Sequence, residues 1–269
     1  MSKGKLLVLF ILVVFLSACA SGTSWEDEEV QEKSERILSD DVQTIWTLSD
    51  GAASGAGEAR RIRLEIRKRN GSPIEDFDIN HEKLLHLMVI SKDLSYFRHL
   101  HPEYKGRGVF EIDNDFPAGG EYRLIADFKP ANGDAMTKME WVRVPGKRID
   151  PPPVIPDAHL DKTVDGIRVK LAIDPIGANE ETTFTFTLSD EVSDKPIRDL
   201  QPYLGSIGHV VVLSEDGQRY VHVHAEEEQG AGPKAVFETS FPGSGVYKIW
   251  GQFQRNNRVF TVDYVVRVP

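Results

Sequence analysis

A shift of 123 residues lays the chain on itself. Pro73-Ile74-Glu75-Asp76-Phe77 falls on Pro196-Ile197-Arg198-Asp199-Leu200. With no gap, His86 to Pro102 (HLMVISKDLSYFRHLHP) then falls on His209 to Ala225 (HVVVLSEDGQRYVHVHA). A shift of 125 brings Phe116-Pro117-Ala118-Gly119-Gly120-Glu121-Tyr122 onto Phe241-Pro242-Gly243-Ser244-Gly245-Val246-Tyr247. Val142-Arg143-Val144-Pro145 matches Val266-Arg267-Val268-Pro269. Order and spacing agree over about a hundred residues, so the body is one module written twice, and the architecture follows from that module.

Within each module apolar and polar residues alternate, as in Ile62, Leu64 and Ile66 of the first and Phe184, Phe186 and Leu188 of the second. Period two means strands. Turn signals at Asn70-Gly71, Asn132-Gly133, Asp216-Gly217 and Asn256-Asn257 recur at short spacing, and no long helical period intervenes. The expectation is all-β: two tandem antiparallel β-sandwiches, immunoglobulin-like or cupredoxin-like, of seven or eight strands each. Gly120-x-Tyr122 and Gly245-x-Tyr247 look like tyrosine corners at strand starts. Pro151, Pro152, Pro153 and Pro156 favour polyproline II and predict a semi-rigid spacer that holds the modules apart.

The N-terminus reads as an address. Lys3 and Lys5 precede eleven uninterrupted apolar residues, Leu6 to Leu16, and then Ser17-Ala18-Cys19. Eleven is well short of the roughly 20 that span a bilayer. This is the layout of a secretory signal peptide, and Leu16-Ser17-Ala18-Cys19 resembles the lipobox of bacterial lipoproteins. That resemblance implies lipidation of Cys19, anchoring in the cell membrane and an extracytoplasmic body; the alternative is an ordinary leader cut after Ala18 or Ala20. The predicted organisation is a signal peptide (1–18), an acidic tether (19–40), a first sandwich (41–147), a Pro-rich linker (148–160) and a second sandwich (161–269).

Composition narrows the chemistry. The 42 acidic residues outnumber the 32 basic ones, giving a net charge of −10, so nucleic acid is not an expected partner. Loss of the two leader lysines would leave a net charge of −12, which anionic lipid repels, so acyl chains would have to do the anchoring. Cys19 is the single cysteine, which leaves metal chemistry to His, Met and carboxylates.

Six of the eight histidines occupy a repeated pattern, His, twelve residues, His-x-His: His86, His99 and His101, then His209, His222 and His224. Six of the seventeen aligned positions are identical between the copies, and three of those are these histidines. A tight turn at Asp216-Gly217 would pair Glu215 with Gln218, placing His209 across from His224 and Val211 across from His222. The same register in the first copy puts His86 across from His101 and Met88 across from His99. Three imidazoles would then converge on each hairpin, a donor set that suits copper or zinc, with Met88 adding a thioether to the first. Glu103 and Glu226 extend the pattern on the same strand face, as ligands or as groups that orient an imidazole. At an unperturbed imidazole pKa of about 6.5, protons would displace the metal between about pH 6 and pH 5. His81 and His159 have no counterpart in the other copy and are expected at the surface.

Gly71-x-Pro73-Ile74-x-Asp76, then a hairpin, then Phe116-Pro117-x-x-Gly120-x-Tyr122, resembles the YtkA-like family of small extracytoplasmic β-sandwich domains. His81 to Glu103 is similar to a group of secreted bacterial lipoproteins. The resemblance implies a fold, a compartment and a loose association with copper handling, and no ligand is carried over from it. Two functions stay open: a lipid-anchored copper-binding protein that buffers metal or passes it to a membrane transporter, and a non-enzymatic envelope interaction module with structural histidines. No Gly-x-Ser-x-Gly elbow, His-Glu-x-x-His helix or phosphate loop occurs, so an enzyme is not expected.

Overall fold

The computed structural model describes residues 36–51, 58–148 and 153–269; Cys19, the leader and most of the tether lie outside the described residues. The first repeat runs β1 (Val42–Asp50), β2 (Glu58–Lys68), β3 (Phe77–Asp78), β4 (Leu85–Ser91), β5 (Phe97–Leu100), β6 (Glu103–Gly106), β7 (Val109–Phe116), β8 (Gly120–Pro130) and β9 (Met136–Val144). The second runs β10 (Asp161–Val164), β11 (Ile167–Asp174), β12 (Glu181–Asp190), β13 (His209–Ser214), β14 (Tyr220–Val221), β15 (His224–Ala225), β16 (Lys234–Ser240), β17 (Gly245–Arg255) and β18 (Arg258–Val268). The pairing throughout these strands is antiparallel.

Each repeat is a sandwich. The sheet β1-β2-β7-β6 faces β3-β8-β4-β5, with β9 also paired to β8; β10-β11-β12-β16-β15 faces β14-β13-β17-β18. Alternation decides which side chains go inward. Ile62, Leu64, Ile66, Leu87, Val89 and Leu124 fill the first core, and Val169, Phe184, Phe186, Val210, Val212 and Ile249 the second. Tyr122 and Tyr247 donate their hydroxyls to the carbonyls of Ala118 and Gly243, at 2.8 and 2.7 Å, as a tyrosine corner requires.

The histidine-bearing hairpins share one turn. Ser91 N–H bonds to Tyr96 O at 3.1 Å and Leu94 N–H to Ser91 O at 2.8 Å; Ser214 N–H bonds to Arg219 O at 3.0 Å and Gly217 N–H to Ser214 O at 2.8 Å. Four residues therefore lie between the closing pair, rather than the two expected at Asp216-Gly217, and Glu215 N–H turns to Val246 O instead of pairing with Gln218. The register is the expected one: Met88 pairs with His99, and Val212 with Val221.

The spacer expectation fails. A third apolar cluster, Met88, Ile90, Leu94 and Ile125 with Val211, Leu213 and Trp250, joins the outer face of one sandwich to the outer face of the other. Phe97 stacks on Trp250 with centroids 4.8 Å apart, Lys248 Nζ donates to Leu94 O at 2.9 Å, and Val154 of the linker packs against the same cluster. A Cβ at Gly217 would come within 2.6 Å of the Trp141 ring, so that turn needs glycine for the close approach as well as for its φ of +69°. All seven residues of β4 are buried because both of its faces are covered. Proline stiffness cannot hold the repeats apart against that burial, in which each Leu- or Phe-sized side chain contributes roughly 1.5–3 kcal/mol.

Candidate metal centre

His86 lies on β4 on the face away from the first core, next to Met88 and Ile90. His99 lies on β5 across from Met88, and His101 follows two residues later, where the chain leaves β5 to cross to the other sheet. One nitrogen from each of the three lies within 4.8 Å of the others. Their ring centroids are 5.1, 5.1 and 4.9 Å apart. Imidazoles bound tetrahedrally to one ion at roughly 2.0–2.1 Å place their centroids about 5 Å apart.

The backbone carbonyl beside His86 fixes its tautomer, and the Gln252 amide sets that of His99. His86 Nε2 lies 2.9 Å from the Asn80 carbonyl, which can only accept, so Nε2 carries the proton and Nδ1 holds a lone pair. His99 Nδ1 lies 2.8 Å from Gln252 Oε1, and the Gln252 amide nitrogen donates to Thr261 Oγ1 at 3.2 Å. With the Gln252 oxygen turned to His99, Nδ1 donates and the lone pair stays on Nε2. Those two lone pairs face each other across 3.0 Å. His101 Nε2 is shielded from solvent without a hydrogen-bond partner.

Burial opposes a proton as the solution to that contact. It lowers His86 below the ordinary imidazole value, and it drives His99 well below, with the nearby His209 and His86 adding to the effect. Burial, then His86 and Lys83, bring His101 to about 4. The Asn80 carbonyl is held by the turn Asn80–Lys83, in which His81 and Glu82 both adopt left-handed φ of 46° and 66°. Two consecutive non-glycine residues in that region mark a strained turn kept in place by its surroundings.

The second triplet does not assemble. β14 ends at Val221, so the chain leaves β13 before it reaches His222, and His224 pairs in the opposite sheet with Glu238. Thr239 Oγ1 donates to the His222 carbonyl at 2.5 Å and holds that crossing. His222 and His224 are exposed and stack with centroids 6.4 Å apart, and His222 Nε2 meets Thr137 Oγ1 at 2.9 Å. Beside them Asp127, cross-strand from His86, is raised to about 6 by burial.

His209 instead joins the first cluster, its ring 4.7 Å from His99 and 5.7 Å from His86. Burial, then His86, His81 and His101, lower it to about 3. His81 is exposed as expected, yet it borders the cluster, 6.1 Å from His86 and 5.9 Å from His209. His159 is exposed. Met88 is fully buried in the third apolar cluster. Glu103 lies on β6 in the opposite sheet, ion-paired with Lys105 at 2.5 Å, and Glu226 is an exposed residue lining a cavity with His81 and His224. The orienting role expected of Glu103 falls to Asn80 and Gln252. A backbone carbonyl leaves no sequence signature, and Gln252 lies outside the repeated histidine pattern.

A family model described as Domain of unknown function (DUF8832) matches residues 39–146 and again 162–269. The chain belongs to this family. Each DUF8832 copy contains one histidine triplet, so the family module is the repeat unit. No curated protein matches the chain. Among solved structures it is similar to the Escherichia coli adhesin FdeC, with 15% identity, TM-score 0.26, and coverage of 85% of this chain and 64% of that one. It is similar to Yersinia pseudotuberculosis InvD, at 12%, TM-score 0.25, and coverage of 84% and 57%. Domains 4 and 5 of the S-layer protein SbsC give 12%, TM-score 0.23, and coverage of 84% and 96%. The chain spans less than two thirds of FdeC and of InvD. Superpositions this loose carry no argument about the chemistry of the DUF8832 repeats.

Proposed function

We propose that this is a non-enzymatic, extracytoplasmic protein that binds one transition-metal ion at His86, His99 and His101 and buffers it or hands it to a membrane partner such as a metal transporter. The observation that carries the reading is the 3.0 Å approach of His86 Nδ1 and His99 Nε2, whose outer nitrogens face the Asn80 carbonyl and Gln252 Oε1; with both outer nitrogens protonated, two lone pairs meet. A shared cation relieves that contact, and buried neutral imidazoles favour a metal over a proton. Neutral nitrogen donors suit copper and zinc: divalent affinity peaks at copper, and the tetrahedral spacing of the rings suits zinc. Lipidation at Cys19 would keep the protein on the outer face of the cell membrane. The test is a Cu2+ and Zn2+ titration of the full chain and of a His86→Ala/His99→Ala/His101→Ala variant. One tightly bound ion per chain, lost in the variant, supports the reading; equal binding by both proteins overturns it.

A second reading rests on the same atoms. If the Gln252 amide is turned, its NH2 donates to His99 Nδ1, His99 Nε2–H donates to His86 Nδ1, and the chain of bonds closes without an ion. The histidines then act as polar glue in an envelope interaction module. Absence of metal binding by the unaltered chain would favour it.

A further inference from the structure

We infer that His209 supplies a fourth imidazole to the same ion, so that the metal closes a clasp between the two repeats. This rests on the metal reading above and deepens it. His209 opens β13 and shares a face with Val211 and Leu213, while His86 shares a face with Met88 and Ile90. Those faces pack together in the third apolar cluster, and the histidines cap one end of it. The His209 ring lies 4.7 Å from His99 and stacks on His86 at 5.7 Å, beside the three nitrogens that already lie within 4.8 Å of one another, so ligation asks only for a turn of its ring toward them. Its cross-strand partner on β17 is Gln252, the residue that accepts the His99 Nδ1 proton. The second repeat thus contributes both the group that orients a ligand of the first and a further donor beside it.

Two consequences follow. Four imidazoles close a tetrahedral shell and leave no position for a substrate, as suits an ion that is stored rather than used for hydrolysis. Whatever factor the docked repeats add to metal affinity, the metal adds to docking, because the two equilibria are linked.

The experiment compares the full chain with His209→Ala, His81→Ala and the His86/His99/His101 triple variant, each loaded with Cu2+. Competition with a chelator reads affinity, and nitrogen hyperfine couplings in the electron spin resonance spectrum read the number of imidazoles. The expected result is four nitrogens in the unaltered chain and in His81→Ala. His209→Ala should show three nitrogens, an affinity at least tenfold lower, and a smaller metal-induced rise in Tm. His209→Gln replaces the alanine variant if the latter does not fold. Four nitrogens and unchanged affinity in His209→Ala, with binding lost in the triple variant, overturn the clasp and leave the three-histidine site standing. Loss of the fourth nitrogen in His81→Ala alone would also overturn it. Unchanged binding in the triple variant overturns the metal reading itself.

Discussion

In the first repeat the strand that carries His99 stays paired with β4 through Leu100; in the second, the matching strand leaves β13 after Val221. The two segments share spacing, register and turn, yet one brings three imidazoles together and the other sends two of them to the surface. The position matching Thr239, whose hydroxyl holds the His222 carbonyl, is Asn114 in the first repeat, and Asn114 accepts from Tyr96 instead. A repeated motif therefore fixes which residues can meet, while the point at which the chain changes sheets decides whether they do.

The largest expected contrast lies between equivalent histidines. His99→Ala should weaken metal binding at least tenfold, because it removes a donor from the centre of the cluster. His222→Ala should leave the affinity of that cluster unchanged. A matching loss in both variants, measured by chelator competition, would mean that the second triplet assembles after all.

Next comes the seam between the repeats. Trp250 is 3% exposed and stacks on Phe97, so Trp250→Ala should cost about 3–5 kcal/mol in denaturant unfolding. A cost under about 1 kcal/mol would fit repeats that hang separately on a spacer. Met88→Leu, which conserves volume in the same cluster, should cost less than about 1.5 kcal/mol and leave Cu2+ affinity unchanged. A drop in affinity would show that the sulfur reaches the ion.

The duplication, the sandwich, the tyrosine corners and the hairpin register were all legible in the residues, because each rests on local period or on fixed offsets. The third cluster had a sequence signal too. Leu87–Ile90 and Val210–Leu213 are continuous apolar runs among strands that otherwise alternate, which is how a strand covered on both faces reads. The candidate site was half legible. Spacing alone brings the first-repeat histidines together, but it groups His209 with the wrong rings. Its true neighbours come from packing between repeats, and no pattern inside one repeat encodes that.

Acidification should separate the two histidine groups. His101 sits at about 4 and His209 at about 3, below the ordinary imidazole value near 6.5. Between those values the unfolded chain takes up protons that the folded chain refuses. Stability of the metal-free protein is therefore full above about pH 6.5 and is lost as the pH falls toward 4 and then 3. The same depression weakens proton competition for the ion, so bound metal should persist at about pH 5 and leave near pH 4, later than the ordinary imidazole range predicts. Any ion held by exposed His222 should leave earlier. Equilibrium dialysis across this range checks both, and complete release by pH 6 would mean that the cluster is open to solvent.

The smallest expected difference belongs where the repeats agree. Ser91 and Ser214 each donate a hydroxyl to the turn aspartate, Asp93 or Asp216, and each accepts a backbone N–H at 2.9 Å, from Tyr96 or Arg219. Both serines are buried, so replacing either by alanine strands the Tyr96 or Arg219 amide, while Asp93 and Asp216 keep the N–H of Ser95 and Gln218, and should cost about 1–3 kcal/mol. The turns have the same bonds and do not share partners, so the two costs should agree within roughly 0.5 kcal/mol and add in the double variant. Equal costs would place the divergence of the two repeats beyond the turn, at the crossing that Thr239 holds. A Ser214→Ala cost well above that of Ser91→Ala would move it back into the hairpin, and the early exit of β14 from β13 would then begin at the turn itself.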